Sequence, residues 1–181
     1  MNIPNSLTIL RILLIPVLIG CMTYGEYGLA LAVLLCAGLT DAVDGLIARR
    51  LNQQTKLGMF LDPLADKLLL TSGFLSLASL HLVPSWLVIL VVSRDVILLL
   101  GTAVAHLTAS RLDVTPTIWG KGTTALQLAY LFLAVLLTWL GKSVSILTPL
   151  VVVMVGFTLI SGFQYLQRGY RNSILPGPSG K

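Results

Sequence analysis

Residues 28–48 read GLALAVLLCAGLTDAVDGLIA, and only Asp41 and Asp44 carry a charge in this run. A helix needs about 20 mostly apolar residues to cross the hydrocarbon core of a bilayer. A charged side chain at that depth is costly, and such side chains usually serve a function. The run therefore predicts a membrane-spanning helix that also contributes carboxylates to a functional site.

The rest of the chain has the composition of a membrane protein. Of its 181 residues, 56% are hydrophobic and 10% are charged, whereas a soluble domain carries about 25% charged residues. A soluble enzyme, a nucleic-acid-binding module and a disordered chain are therefore disfavoured. We expect an all-α polytopic membrane protein with six transmembrane helices, near residues 6–24, 28–48, 58–81, 84–107, 118–140 and 144–166.

The basic side chains predict how these helices are oriented. Lys and Arg are concentrated after the second, fourth and sixth spans, whereas Lys142 is the single Lys or Arg in the opposite loops. Since cytoplasmic loops are enriched in these residues, we expect both termini in the cytoplasm. The net charge of +5 then reflects topology and anionic lipid rather than nucleic acid. We expect residues 1–170 to form one membrane domain and residues 171–181 a flexible tail.

Four of the seven acidic residues lie between positions 41 and 66. Asp41 and Asp44 are three residues apart, and Asp62 and Asp66 are four apart, so each pair lies on one face of a helix. A short polar loop separates the two predicted helices, so we expect antiparallel packing that brings the four carboxylates together. Their repulsion is relieved by a hard divalent cation with oxygen ligands. The paired spacings favour the metal over the alternative, which is a structural ion network with the nearby basic residues Arg49, Arg50, Lys56 and Lys67.

The pattern Asp41-x2-Asp44-Gly45-x2-Ala48-Arg49-x8-Gly58-x3-Asp62-x3-Asp66 resembles the signature of the CDP-alcohol phosphatidyltransferases at all eight fixed positions. The resemblance implies six membrane helices and transfer of a phosphatidyl group from CDP-diacylglycerol to an alcohol, with release of CMP. It also implies one or two Mg²⁺ or Mn²⁺ ions, a homodimer, and a bacterial inner-membrane enzyme whose active site faces the cytoplasm.

The resemblance also assigns roles to residues of this chain. It implies that Asp66 is the general base and also contacts metal, together with three other aspartates, Asp41, Asp44 and Asp62. It implies that four residues bind CDP-diacylglycerol: Gly45, Ala48, Arg49 and Gly58.

Further polar residues are candidates for the acceptor site. Arg94 and Asp95 lie inside the fourth predicted span, where charges are usually functional; the alternative is an ion pair between them or between helices. Lys121 lies at the start of the fifth span, where a lysine opposes the helix dipole unless a phosphate is present; the alternative is a lysine that extends to the interface. Arg111 is a weaker candidate, because a cytoplasmic loop position explains it equally well.

The acceptor alcohol divides two branches of the family. Three stretches resemble the cardiolipin synthase branch, in which phosphatidylglycerol accepts the phosphatidyl group. They are Ala37-Gly38-Leu39-Thr40-Asp41, Ser93-Arg94-Asp95-Val96, and Pro116-Thr117 followed by Lys121 and Thr124-Ala125-Leu126-Gln127-Leu128. Phosphatidylglycerophosphate synthases, which use glycerol 3-phosphate, usually have Ala-Arg-Glu in place of Ser93-Arg94-Asp95 and a second arginine at the position of Thr102. We therefore expect cardiolipin synthesis, with glycerol 3-phosphate as the alternative acceptor. A non-enzymatic divalent-cation carrier is a more distant alternative.

Overall fold

The computed structural model describes the backbone of residues 3–51, 56–107 and 118–174, and the side chains of residues 8–40, 64–100, 120 and 122–163. The described backbone consists of helices joined by short turns and contains no strand, which confirms the all-α prediction. Its elements are α1 (Ile3–Thr23), α2 (Tyr27–Leu51), α3 (Lys56–Ser79), α4 (Ser85–Leu107), α5 (Ile118–Trp139), a 3₁₀ helix (Val144–Leu147) and α6 (Thr148–Ile174).

The first five predicted helices agree with the structure to within a few residues, but the sixth begins later than expected. A 3₁₀ helix occupies Val144–Leu147, and α6 begins at Thr148. The Ser143 hydroxyl accepts a 3.3 Å hydrogen bond from the backbone N–H of Ser145, which caps this short turn. Helix α6 continues to Ile174. The predicted tail falls largely on residues 175–181, outside the described residues, so its boundary stays a prediction.

Helices α1, α3 and α5 end in the same way, at one end of the bundle. Each is followed by a residue with positive φ: Gly25 at 79°, His81 at 57° and Gly141 at 66°. In each case the next N–H bonds to a carbonyl five residues earlier, which is the hydrogen bond of a Schellman motif. These bonds run from Glu26 to Cys21, from Leu82 to Leu77 and from Lys142 to Leu137, at 2.8–2.9 Å. His81 therefore stands where the other two helices have glycine.

Helices α3 and α5 each pack against three other α-helices. Helix α3 packs against α1, α4 and α5, and α5 packs against α2, α3 and α6; α1 also packs against α2, and α4 against α6. The Phe74 and Tyr130 rings stack between α3 and α5, with centroids 5.8 Å apart. Close by, Gly73 lies so near Leu131 that an added Cβ would come within 2.6 Å of a leucine methyl. The absence of a side chain at Gly73 thus lets α3 approach α5 closely, next to the stacked rings.

The outer surface of the bundle is strongly apolar. Many large hydrophobic side chains are exposed, including Leu13, Ile89, Ile97, Val152 and Phe163. Among the described residues, two helical stretches are long and apolar enough to cross a bilayer, Gly122–Trp139 and Val144–Phe163. The apolar stretches Thr8–Thr23 and Tyr27–Thr40 are shorter. These surfaces are typical of helices that face lipid.

Candidate active site

The predicted aspartate pairs lie on the two helices that flank residues 52–55. Helix α2 carries Asp41 and Asp44 and ends at Leu51, and α3 begins at Lys56 and carries Asp62 and Asp66. At about 1.5 Å of rise per residue, the inner pair of positions, 44 and 62, lies about 10 Å from these helix ends. The outer pair, 41 and 66, lies about 15 Å from them. The backbone thus gives the four aspartates matching depths on the two helices.

Several predicted site residues have side chains outside the described set. In α2 and α3 these are Asp41, Asp44, Gly45, Ala48, Arg49, Gly58 and Asp62, and in α5 Lys121. Arg111 lies outside the described residues altogether. The described side chains of the predicted site are Asp66, Arg94 and Asp95, and their contacts follow.

Asp66 pairs with an arginine of the first helix. The Arg11 Nη1 atom donates a 2.7 Å hydrogen bond to Asp66 Oδ1, although the two residues are 55 positions apart. The Arg11 side chain is 1% exposed, whereas that of Asp66 is 41% exposed. The guanidinium is therefore buried, whereas the carboxylate is partly exposed. Sequence reasoning gave Arg11 no role, although a charge inside the first apolar span was a signal for one.

Arg94 and Asp95 belong to an ion cluster that also includes Lys67. Asp95 Oδ1 accepts hydrogen bonds from Lys67 Nζ at 2.9 Å and from Arg94 Nη1 at 2.8 Å. Lys67 Nζ also donates to Thr124 Oγ1 at 3.3 Å, and Arg94 Nη2 donates to the Gly120 carbonyl at 3.2 Å. The cluster therefore connects α3, α4 and α5 through charge-assisted hydrogen bonds, which are stronger than neutral ones.

Arg94 and Asp95 were interpreted either as acceptor-site residues or as an ion pair, and the cluster shows the ion pair. The two side chains bond to each other and to a neighbouring helix, as the ion-pair interpretation expected. A direct contact of either residue with an acceptor stays a prediction. Sequence reasoning considered Lys67 only as a partner for the aspartate pairs and missed its bond to Asp95.

The donor chemistry of the aspartates fits a hard divalent cation. Four carboxylates occur at helical spacing on two consecutive helices, and carboxylate oxygen is the ligand that Mg²⁺ and Mn²⁺ prefer. The Asp66 side chain is 41% exposed, so its carboxylate is accessible to such an ion. The residues present therefore fit the metal that the sequence pattern predicts.

Comparison with known proteins identifies relatives along nearly the whole chain. Residues 1–160 match the model of the CDP-alcohol phosphatidyltransferase family. A probable cardiolipin synthase (CMP-forming) of Drosophila melanogaster is 43% identical over 145 residues, which are 71% of this chain and 45% of that protein.

Two bacterial relatives have names that refer to phosphatidylglycerophosphate or to glycerol 3-phosphate. A probable phosphatidylglycerophosphate synthase of Mycobacterium tuberculosis is 34% identical, with 94% of this chain and 83% of that protein covered. A CDP-diacylglycerol–glycerol-3-phosphate 3-phosphatidyltransferase of Aquifex aeolicus is 31% identical, with 94% and 97% covered. The chain thus spans less than half of the Drosophila protein and nearly all of the Aquifex one. With its aspartate pattern, its helices and the family match over residues 1–160, this chain belongs to the CDP-alcohol phosphatidyltransferase family.

Proposed function

We propose that the chain transfers a phosphatidyl group from CDP-diacylglycerol to a hydroxyl of phosphatidylglycerol, which gives cardiolipin and CMP. The observation that carries the proposal is the aspartate pattern on α2 and α3, supported by the family match. A divalent-cation carrier would also use aspartates, but it would not need the accompanying Gly45, Ala48, Arg49 and Gly58.

Phosphatidyl transfer requires a general base for the acceptor hydroxyl and a binding site for the diphosphate of the donor. In our proposal Asp66 takes the proton of the acceptor hydroxyl as its oxygen attacks the phosphorus that bears the diacylglycerol. The phosphorus–oxygen bond to the bridging oxygen of the diphosphate breaks, and CMP leaves with that oxygen. A hydrogen-bonded base of this kind typically contributes about 10²- to 10⁴-fold to the rate. The exposed Asp66 carboxylate supports the role.

In our proposal the residues of the aspartate pattern on α2 and α3 also bind the donor, CDP-diacylglycerol. Asp41, Asp44, Asp62 and Asp66 would hold one or two Mg²⁺ or Mn²⁺ ions, which when bound neutralise the diphosphate and polarise the phosphorus. Gly45 and Gly58 would leave room for the nucleotide, and Ala48 would belong to the same donor site. Arg49 contributes positive charge near the diphosphate.

The hydrogen bonds that Arg94 already makes favour phosphatidylglycerol as acceptor. Two nitrogens of its guanidinium already bond to Asp95 and to the Gly120 carbonyl. Glycerol 3-phosphate brings a phosphomonoester that carries nearly two negative charges at neutral pH, comparable to a phosphorylated side chain, and it demands free cationic groups. Phosphatidylglycerol brings a singly charged diester. A site whose arginine is already paired suits the diester.

Glycerol 3-phosphate is the second candidate acceptor. Two relatives that cover 94% of this chain have names that specify this reaction or its product. Lys121 and Arg111 would then supply the charge that the phosphomonoester needs. The product would be phosphatidylglycerophosphate, and the donor chemistry at Asp66 would be the same.

We further propose six membrane spans, both termini in the cytoplasm and a bacterial inner-membrane location with the active site on the cytoplasmic side. The excess of Lys and Arg after the second, fourth and sixth predicted spans of the sequence and the apolar outer surface of the described helices support this topology. A homodimer is part of the proposal through the family resemblance.

The experiment that tests the acceptor offers each alcohol separately. Purified protein in detergent micelles with Mg²⁺ or Mn²⁺ receives CDP-diacylglycerol and either phosphatidylglycerol or glycerol 3-phosphate, and the lipid products are identified by mass. Cardiolipin formed from phosphatidylglycerol supports the proposal. Phosphatidylglycerophosphate as the sole product transfers the assignment to the second acceptor. CMP formation with neither alcohol would reject both.

A further inference from the structure

Two adjacent residues of α3 are bonded to different parts of the bundle. Asp66 accepts a hydrogen bond from Arg11 of α1 at 2.7 Å, whereas Lys67 donates to Asp95 of α4 at 2.9 Å and to Thr124 of α5 at 3.3 Å. Because an α-helix has 3.6 residues per turn, adjacent side chains leave the axis about 100° apart. Bonds in two such directions oppose rotation of α3 about its own axis in either sense.

The bond from Lys67 to Asp95 is well shielded from solvent. The Asp95 side chain is 2% exposed and that of Lys67 is 17% exposed. Arg94 donates to the same oxygen, Asp95 Oδ1, so one carboxylate oxygen holds both cations. In a low-dielectric interior such bonds are stronger than at a surface, and loss of one partner leaves a buried charge uncompensated. Lys67 is therefore held much more firmly than a lysine at the bundle surface.

The bonding pattern favours an anchor over an acceptor ligand at this place. Arg94 is committed to Asp95 and to the Gly120 carbonyl, and Asp95 Oδ1 already accepts two hydrogen bonds. A lipid headgroup that used these same atoms would have to break buried charge-assisted bonds first. As an anchor, in contrast, the cluster works as it stands, because it connects α3 to both α4 and α5.

We propose that Lys67 is a positioning residue for Asp66. Through Asp95 and Thr124, Lys67 sets the rotation of α3, and this rotation sets the direction from which the Asp66 carboxylate meets the acceptor hydroxyl. The inference rests on the proposed role of Asp66 in phosphatidyl transfer. It gives Asp95 the role of an anchor for Lys67 rather than of a ligand for the acceptor.

The kinetic test compares two substitutions of Lys67 with a control. Lys67→Met removes the hydrogen bonds but keeps the Arg94–Asp95 pair, Lys67→Arg keeps a cationic donor, and Lys142→Met removes a lysine at the far end of the bundle. A displacement of about 1 Å at a reacting group can cost about 100-fold in rate. We expect Lys67→Met to lower kcat by about 10- to 100-fold, with the KM of both lipids changed by less than about threefold. Lys67→Arg should recover most of kcat, and Lys142→Met should match the wild type.

A second measurement does not depend on activity. Spin labels are attached at Leu13→Cys of α1 and Leu68→Cys of α3, both exposed positions, after Cys21 and Cys36 are changed to Ser. Pulsed dipolar EPR then gives the distribution of distances between α1 and α3. We expect this distribution to broaden or shift in Lys67→Met and to return towards the wild type in Lys67→Arg.

The outcomes separate this inference from the proposed function. An unchanged EPR distribution in Lys67→Met overturns the positioning role, whatever the kinetics. A rise in acceptor KM alone, with kcat intact, overturns it as well, because that result marks Lys67 as a substrate ligand. If the wild type releases no CMP with either alcohol, the proposed function fails, and the EPR comparison still decides whether Lys67 sets the orientation of α3.

Discussion

Arg11 of α1 bonds to Asp66 of α3 at 2.7 Å, and the arginine is buried while the aspartate is 41% exposed. The pair therefore joins a buried group to a partly exposed one. The buried group is the guanidinium, and the exposed group is a carboxylate that belongs to the predicted metal and base site. This asymmetry connects the packing of the first helix to the proposed chemistry on the third.

Removal of Arg11 should change metal binding and activity in opposite directions. Arg11→Met takes a positive charge from beside Asp66, and since like charges repel, Mn²⁺ should then bind about three- to tenfold more tightly. The carboxylate also loses its fixed orientation, so kcat should fall by about tenfold or more. Mn²⁺ titration followed by EPR and a CMP-release assay measure the two effects. Weaker Mn²⁺ binding in Arg11→Met would contradict the prediction, and Lys142→Met serves as the charge control.

Asp66→Asn should separate chemistry from donor binding. The amide cannot take the acceptor proton, so CMP release should fall by about 10²- to 10⁴-fold. The three remaining aspartates should still support a thermal shift by CMP that depends on Mg²⁺ or Mn²⁺, although a weaker one. Turnover at the wild-type rate would remove Asp66 from the role of base.

Gly73 should be intolerant of even a methyl group. An added Cβ would lie 2.6 Å and 2.9 Å from the two methyl carbons of Leu131, which is fully buried. Overpacking of this kind costs about 1–3 kcal/mol, more than the gain of about 1 kcal/mol in helix propensity. Gly73→Ala should therefore lower the thermal unfolding midpoint in detergent. Gly156→Ala is the matched control, because a Cβ there meets no atom within 4 Å. An equal midpoint in the two variants would contradict the packing argument.

His81 should be replaceable by glycine with a gain in stability. Its φ of 57° lies in the left-handed region, which costs an ordinary L-residue roughly 1 kcal/mol. His81→Gly should raise the unfolding midpoint, whereas Gly141→Ala, at the equivalent turn after α5, should lower it. Unfolding of both variants in the same detergent checks the pair. A lower midpoint for His81→Gly would mean that the imidazole makes a stabilising contact that outweighs the backbone strain.

Hydropathy predicted the helices but not how each is rotated. The number and approximate limits of the helices follow from apolar lengths and from turn residues such as Gly25 and Gly141. The later start of α6 depends on a local cap at Ser143, which no apolar pattern records. The Arg11–Asp66 and Lys67–Asp95 bonds join residues 55 and 28 positions apart. They depend on the rotation of α1, α3 and α4, and in a helix that is apolar on most sides the sequence pattern does not set this rotation.

For the candidate site, the sequence predicted which helices carry the aspartates but not which side chains of other helices bond to them. The aspartate spacing indicated which helices carry the chemistry, because a period of three or four residues is visible in sequence. Arg11, the described partner of Asp66, comes from α1, and Lys67, one of the two cations that bond to Asp95, comes from α3. Sequence spacing carried no sign of these two bonds. Lys67 follows Asp66 directly and was considered only in the alternative of a structural ion network, as a partner for those aspartates. No spacing indicated its bond to Asp95 of α4.

Transfer of the phosphatidyl group to phosphatidylglycerol is tested most directly by an isotope label on that group. Purified protein with Mg²⁺ or Mn²⁺ receives CDP-diacylglycerol with deuterated acyl chains and unlabelled phosphatidylglycerol, and mass spectrometry follows the products. We expect cardiolipin with one deuterated and one unlabelled phosphatidyl half, and one CMP for each cardiolipin. Cardiolipin without deuterium, or absence of both cardiolipin and CMP, would contradict this expectation.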